Sequence, residues 1–310
     1  MAKITVADIN ELRQMTGAGI MDCKKALTEA EGDKDKAVQL LREKGLATQA
    51  KKAGRVAAEG LALALVSDDN KIGAVVEVNI ETDFAAKNPA FKNFVEHVAK
   101  TVIEKNPADV EALKAETISG GSVTVAEALQ ELFLSVRENI QIRRFARLEG
   151  DAVVAYVHQG GQAGVLTSAK TEAGDAPAVL EALKDCDFQV AAMHPEYLVR
   201  EDVPQSRIDE EKEIILKQME EDPKLANKPE QAKIKIAEGK LGKIYSEICL
   251  LEQAFVKENK LTVAQYVDSK AKEAGSAIEI TGFVCFELGE GIEKKADDFA
   301  AEVESMIKKG

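Results

Sequence analysis

One order of elements, strand, turn, strand and helix, occurs twice in this chain, and it restricts the available folds more than any other feature. From Gly60 the apolar pattern has period two: Leu61, Leu63 and Leu65 alternate with smaller residues, Ser67-Asp-Asp-Asn70 makes a turn, and Ile72 to Asn79 returns as a second strand. A helix carrying Phe91, Phe94, Val95, Val98 and Val102 follows. The order then recurs. Glu149-Gly150 mirrors Glu59-Gly60, Ala152 to Val157 is a strand, Gln159-Gly-Gly-Gln162 a turn and Ala163 to Lys170 the returning strand, before a helix through Val179, Leu180 and Leu183 to Val190. Strands joined by such short turns pair antiparallel, and a helix with one apolar face covers one side of the sheet. The expected fold class is α+β, with two similar subdomains built on antiparallel sheets.

Helical patterns surround these units. Residues 5 to 45 read as three short helices: Thr5-Val-Ala-Asp8 resembles a capping box with Asp in place of Glu, Thr16-Gly-Ala-Gly19 is a break, and Ile20, Cys23, Leu27 and Ala30 share a face. The third helix starts at its Asp33 cap and is expected to stop before Gly45. Ile20 and Met21 are adjacent, and adjacent helical positions diverge by about 100°, so one of the two is expected at the surface. Ala47 to Ala58 reads as a helical linker, and residues 123 to 145 as a helix joining the two subdomains through Val125, Leu129, Leu132, Val136 and Ile140.

From Arg207 to about Leu250, Ile208, Ile215 and Met219 precede a break at Asp222-Pro223, and Ile234, Ala237, Leu241, Ile244 and Ile248 repeat at three and four. This is a helical hairpin, either packed on its own domain or projecting to pair with a second copy. Glu279 to Leu288 closes as a strand, Gly289-Glu-Gly291 turns, and Asp297 to Ile307 makes a last helix through Phe299, Val303 and Met306. The expected domains are residues 1–54, a three-helix unit with its linker; 55–148, the first α+β subdomain; and 149–310, the second, with the hairpin at 205–250 and a helical module at 290–310.

Composition removes several function classes. The 54 acidic against 41 basic residues give a net charge of −13, which repels a phosphate backbone, and no dense basic run with interleaved aromatics reverses this locally. Cys23, Cys186, Cys249 and Cys285 are scattered without a C-x-x-C pair, as are His97, His158 and His194, so neither a disulfide framework nor a metal site is expected. There is no signal-peptide core and no apolar run of 18 residues, which fits a soluble, cytoplasmic protein without membrane contact. Phosphate-binding loops, dinucleotide fingerprints, nucleophile elbows and zinc-protease motifs are all missing, so no enzyme activity and no cofactor is expected. A site assembled from distant carboxylates would leave no such motif.

The candidate site is the junction after the second strand. Glu81-Thr-Asp-Phe-Ala-Ala-Lys87 leads into Asn88-Pro89, where an Asn cap and a Pro at the first helical position start a helix. Two readings of Phe84 are open. It is buried in its own domain with Asp83 capping a single turn, or it is a rigid apolar probe presented to a partner beside a carboxylate. His158, at a hairpin apex, is likewise either a contact residue or an ordinary surface histidine, and His97 and Cys186 fall in helical patterns as packing residues.

Three stretches carry a resemblance: Leu12-Arg-Gln-Met-Thr-Gly-Ala-Gly-Ile-Met-Asp-Cys-Lys-Lys-Ala-Leu27, Val78-Asn-Ile-Glu-Thr-Asp-Phe-Ala-Ala-Lys-Asn88 and Gly289-Glu-Gly-Ile-Glu-Lys294. Together they resemble the bacterial translation elongation factor Ts family, in order and across the whole chain. The resemblance implies a guanine nucleotide exchange factor for elongation factor Tu, a GTPase that carries aminoacyl-tRNA. It also implies a ubiquitin-associated-like three-helix start. In that family a Thr-Asp-Phe loop enters the GTPase and disturbs its magnesium and phosphate sites, a role that falls here on Thr82, Asp83, Phe84 and Ala85. Ala85 stands where the family often has Val. N-terminal contacts fall on Arg13, Ile20 and Met21, with Ile20 in place of a frequent Met; Lys24 and Lys52 match basic positions, and His158 matches a histidine that approaches another domain of the partner. A homodimer, or a two-to-two complex with the GTPase, is within the family's range. An adaptor that recruits the GTPase without remodelling it is the alternative reading.

Overall fold

Thr5 opens the first helix as its capping box requires. In the computed structural model, which describes residues 4–226 and 228–293, the Asp8 N–H donates to the Thr5 hydroxyl at 3.2 Å, and the Thr5 N–H donates to the Asp8 carboxylate at 3.0 Å. Helix α1 (Val6–Thr16) ends at Gly17, whose φ of 66° is left-handed. Helices α2 (Ile20–Glu29) and α3 (Lys34–Lys52) follow, the latter capped by Asp33. Leu12, Cys23, Leu27, Ala37 and Leu41 form their shared core.

Helix α3 does not stop before Gly45; it runs on through the expected linker to Lys52. The glycine serves a close approach instead. A Cβ there would sit 2.6 Å from Leu134 Cδ2, so the missing side chain lets α3 lie against a later helix. Packing outweighs the local cost of about 1 kcal/mol for glycine in a helix.

Strands β1 (Glu59–Val66) and β2 (Ile72–Ile80) come next, then a single turn α4 (Asp83–Ala86), α5 (Pro89–Lys105), α6 (Val110–Ala115), α7 (Val125–Val136) and β3 (Ile140–Glu149). The first sheet has the order β1-β2-β3. In β1 the small residues Gly60, Ala62 and Ala64 are buried and the leucines are half-buried, the reverse of what side-chain size suggests. The helix expected over 123–145 ends at Val136. Arg137 takes the left-handed conformation at φ 63°, which terminates the helix, and Ile140 begins a strand. Val136 and Ile140 are four apart, a spacing that both a continued helix and this break accommodate.

The second sheet has the order β4-β5-β8, from β4 (Ala152–His158), β5 (Ala163–Lys170) and the closing strand β8 (Glu279–Glu287); β4 and β5 pair antiparallel with Ala152 opposite Ala169 and His158 opposite Ala163. Helix α8 (Pro177–Met193) covers this hairpin, as the repeated order predicts. The two copies also share a steric signature. A Cβ at Gly60 would meet the Val78 carbonyl oxygen at 2.1 Å, and one at Gly150 the Ala169 carbonyl oxygen at 2.8 Å, so each hairpin opens with a glycine pressed on its partner strand.

Helix α9 (Gln205–Glu221), the turn α10 (Pro223–Ala226) and α11 (Glu230–Ile248) make the hairpin, with Ile208, Ile215, Met219, Ala237 and Leu241 in its core. Ile234, expected in that seam, is half exposed. A small ribbon of β6 (Ala254–Phe255) and β7 (Glu258–Thr262), helix α12 (Val263–Ala274) and strand β8 (Glu279–Glu287) complete the described chain. The helix expected at Asp297 to Ile307, and with it most of the 290–310 module, lies outside the described residues.

Contacts divide the chain into two compact units. Among described residues, one comprises 4–63, 76–145 and 287–293, and the other 64–75 and 146–286. No helix among the described residues is long and apolar enough to cross a membrane.

Candidate functional site

Strand β2 is buried along nearly its whole length, and a carboxylate is buried with it. Glu77 accepts from Arg143 at 2.9 Å, Arg144 at 2.6 Å, the Gly289 N–H at 2.8 Å and the Asn79 amide at 3.2 Å. Burial pushes the pKa of Glu77 up, but these donors outweigh it and hold the group below its ordinary range, as a charged acceptor. They tie β2 to β3 and to the turn after β8. The strand that leads to the junction is therefore anchored on both sides.

At its end, the Thr82 hydroxyl accepts from the Ala85 N–H at 3.2 Å and so caps α4. Thr82, not Asp83, is the cap. Asp83 reaches along the turn to Lys87 at 2.7 Å, and the lysine's hydrogen bond and charge lower its pKa. Ala85 and Ala86 pack inward, while Phe84 points out at 84% exposure, so the reading in which Phe84 is buried in its own domain does not hold. An aromatic ring this exposed, on a turn so fully hydrogen-bonded, is presented rather than stored.

A second apolar group lies at the start of α2. Ile20 is 50% and Met21 63% exposed, so both residues of the pair face solvent, not one. The reason is local: α2 begins at Gly19, and Cys23, Ala26 and Leu27 already fill its inner face. Arg13 and Lys24 are exposed near them in sequence, whereas Lys52 is half-buried and donates to the Arg137 carbonyl, joining the end of α3 to the end of α7. His158 belongs to the other unit. It is half-buried at the end of β4, with its Nδ1 2.8 Å from the Tyr156 hydroxyl, and Tyr156 meets Phe188 edge to face at 4.6 Å between centroids.

Sequence reasoning missed Glu138 and Arg137. Glu138 accepts from the Thr82 N–H and hydroxyl at 2.9 and 2.8 Å, and Arg137 donates to Asp22, in the first turn of α2, at 2.6 Å. Both residues lay inside the helix expected over 123–145. A charged pair at a helix end carries no signal for partners 56 and 115 positions away.

The fold and this surface define an α+β protein that holds apolar side chains outward, Phe84 from a capped and braced turn and Ile20 and Met21 from the start of α2. The family model described as "Elongation factor TS" matches residues 81–290. Elongation factor Ts of Trichlorobacter lovleyi is 47% identical over 306 residues, covering 97% of each chain. That of Clostridium perfringens strain 13 is 48% identical over 305 residues, covering 98% of this chain and 99% of its own, and that of Clostridium botulinum strain Alaska E43 is 46% identical over 308 residues, covering 99% and 100%. The chain belongs to the elongation factor Ts family, and its role is that of a translation elongation factor.

Proposed function

We propose that this chain is the guanine nucleotide exchange factor for elongation factor Tu, binding the GDP-loaded GTPase and promoting GDP release so that GTP can load. The observation that carries the reading is the exposure of Phe84 on a braced turn. An exchange factor forms no bond and so is not an enzyme in the usual sense. It binds the nucleotide-free GTPase more tightly than the loaded form, and linkage requires that it weaken nucleotide by the same factor. Mg²⁺ in such a GTPase demands near-octahedral oxygens, so displacing its ligands or the phosphate-holding backbone loosens the nucleotide. In this reading Thr82, Asp83, Phe84 and Ala85 form the wedge, with Phe84 the inserted group and Ala85, packed inward, seating the turn behind it. Arg13, Ile20, Met21, Lys24 and Lys52 supply the N-terminal contact, His158 a further one, and the cytoplasm is the place of action.

Burying a Phe ring contributes about 1.5–3 kcal/mol, a tenfold to hundredfold preference for the opened GTPase if its pocket exists only there. Stopped-flow release of a fluorescent GDP from purified elongation factor Tu, at fixed Mg²⁺, tests this. The wild type accelerates release strongly, and Phe84→Ala, folded as before, loses about tenfold to hundredfold of that acceleration. Binding without acceleration would favour the adaptor reading, and full exchange by a well-folded Phe84→Ala would remove the wedge.

A further inference from the structure

Arg137, Glu138 and Asn139 follow one another at the end of α7, and each grips a different element. Arg137, held at φ 63°, donates its guanidinium to Asp22 at 2.6 Å while its carbonyl accepts from Lys52. Glu138 receives both donors of Thr82, at 2.9 and 2.8 Å. Asn139 donates its N–H to Glu81 at 2.6 Å and its side-chain amide to the Arg55 carbonyl at 2.8 Å. The hydroxyl that Glu138 orients is the one that caps α4, so the direction of the Phe84 turn depends on it. Between one exposed apolar group and the other the path is short: Met21 and Asp22, Arg137 and Glu138, then Thr82, Asp83 and Phe84. Its two non-covalent steps are charge-assisted hydrogen bonds, the stronger kind.

We infer that this tripeptide is a positioning device that fixes Ile20 and Met21 relative to Phe84, so that the two apolar groups dock as one preformed element. What the groups touch rests on the exchange-factor reading; that they are held in register does not. A surface ion pair alone contributes little. Here three successive residues on one backbone fix the first turn of α2, the end of α3 and the cap of α4 together. Holding two contacts at a set separation makes the second one effectively intramolecular and spares the ordering cost on binding.

Two measurements decide it. Spin labels at Met21→Cys and Phe84→Cys, in a Cys285→Ser background that leaves only the buried Cys23, Cys186 and Cys249, give a distance distribution by pulsed electron resonance with no GTPase present. The parent gives one narrow distribution, and Glu138→Ala or Arg137→Asn broadens it; Asn tolerates the left-handed backbone, so the second variant removes the guanidinium alone. A distribution unchanged in both variants overturns the positioning. In the GDP-release assay, the double variant Met21→Ala/Phe84→Ala loses about tenfold less than the product of the single losses, because either loss already spoils the joint docking. In a Glu138→Ala background the double loss lies within about twofold of the product. The same coupling in both backgrounds overturns joint docking. If the wild type fails to accelerate GDP release, the exchange reading falls, and the distance distributions still decide the positioning.

Discussion

Glu77 in the first unit and Asp187 in the second are both carboxylates with no solvent exposure, one on a strand and one on a helix. Glu77 meets two guanidinium groups, a backbone N–H and a side-chain amide, and is held below its ordinary pKa against the pull of burial. For Asp187, burial dominates. The Thr167 hydroxyl donates to one oxygen at 2.6 Å, the other oxygen has no hydrogen-bond partner, and the group is held well above its ordinary pKa. Neither side chain is exposed to solvent, yet their pKa values move in opposite directions: down where two guanidiniums and two N–H donors surround the carboxylate, and up where burial is met by a single hydroxyl donor. The unit that carries Phe84 braces its strand with buried charge. The other sets an acid of raised pKa against its sheet, beside an apolar core.

The largest test of this contrast is Glu77→Ala. It leaves Arg143 and Arg144 without their shared partner, and because both arginines are only partly buried the cost belongs at the low end for a broken buried pair, about 3 kcal/mol in denaturant unfolding. A loss under about 1 kcal/mol would mean the network braces nothing. The next is the pH dependence of stability, where the two groups act with opposite sign. Glu77 binds its proton less readily when folded, so its contribution is full above the ordinary carboxylate range near pH 4 and is lost as pH falls through its lowered folded value. Asp187 holds its proton more readily when folded, so its contribution is full below about pH 4 and is lost as pH rises toward its raised folded value. Unfolding curves of Glu77→Gln should therefore flatten on the acid side, and those of Asp187→Asn on the side above it. The smallest effect is that of Asp187→Asn near pH 4, within about 1 kcal/mol of the parent, since a neutral amide replaces a neutral acid. A much larger loss there would show that Asp187 is an anion, and the contrast would collapse.

The duplicated hairpins were legible because their signals are local: alternation, turn residues and a glycine at each opening. The candidate junction was legible as strand, turn and capped helix. The exposure of Phe84 was not, since nothing adjacent in sequence distinguishes an aromatic on the outside of a turn from one on the inside. Gly45 misled because a helix-stopping residue and a helix-packing residue are the same residue, told apart only by Leu134 across the contact. The segment after Val136 misled because Ile140 extends the apolar helical spacing, while the left-handed Arg137 is held by partners far away in sequence. The ribbon of β6 and β7 and helix α12 were not anticipated; β6 is only two residues long, too short for any periodicity to register.

Phe84 buries almost nothing in the free protein, and this bears on the speed of encounter. A probe stored in its own core must first be released, and its capture is then gated by that opening. This ring needs no release. Whatever protein receives it meets this chain's binding conformation at every collision, so no plateau in the observed rate of association arises from release of Phe84, and a plateau at high concentration reports a conformational step in the partner.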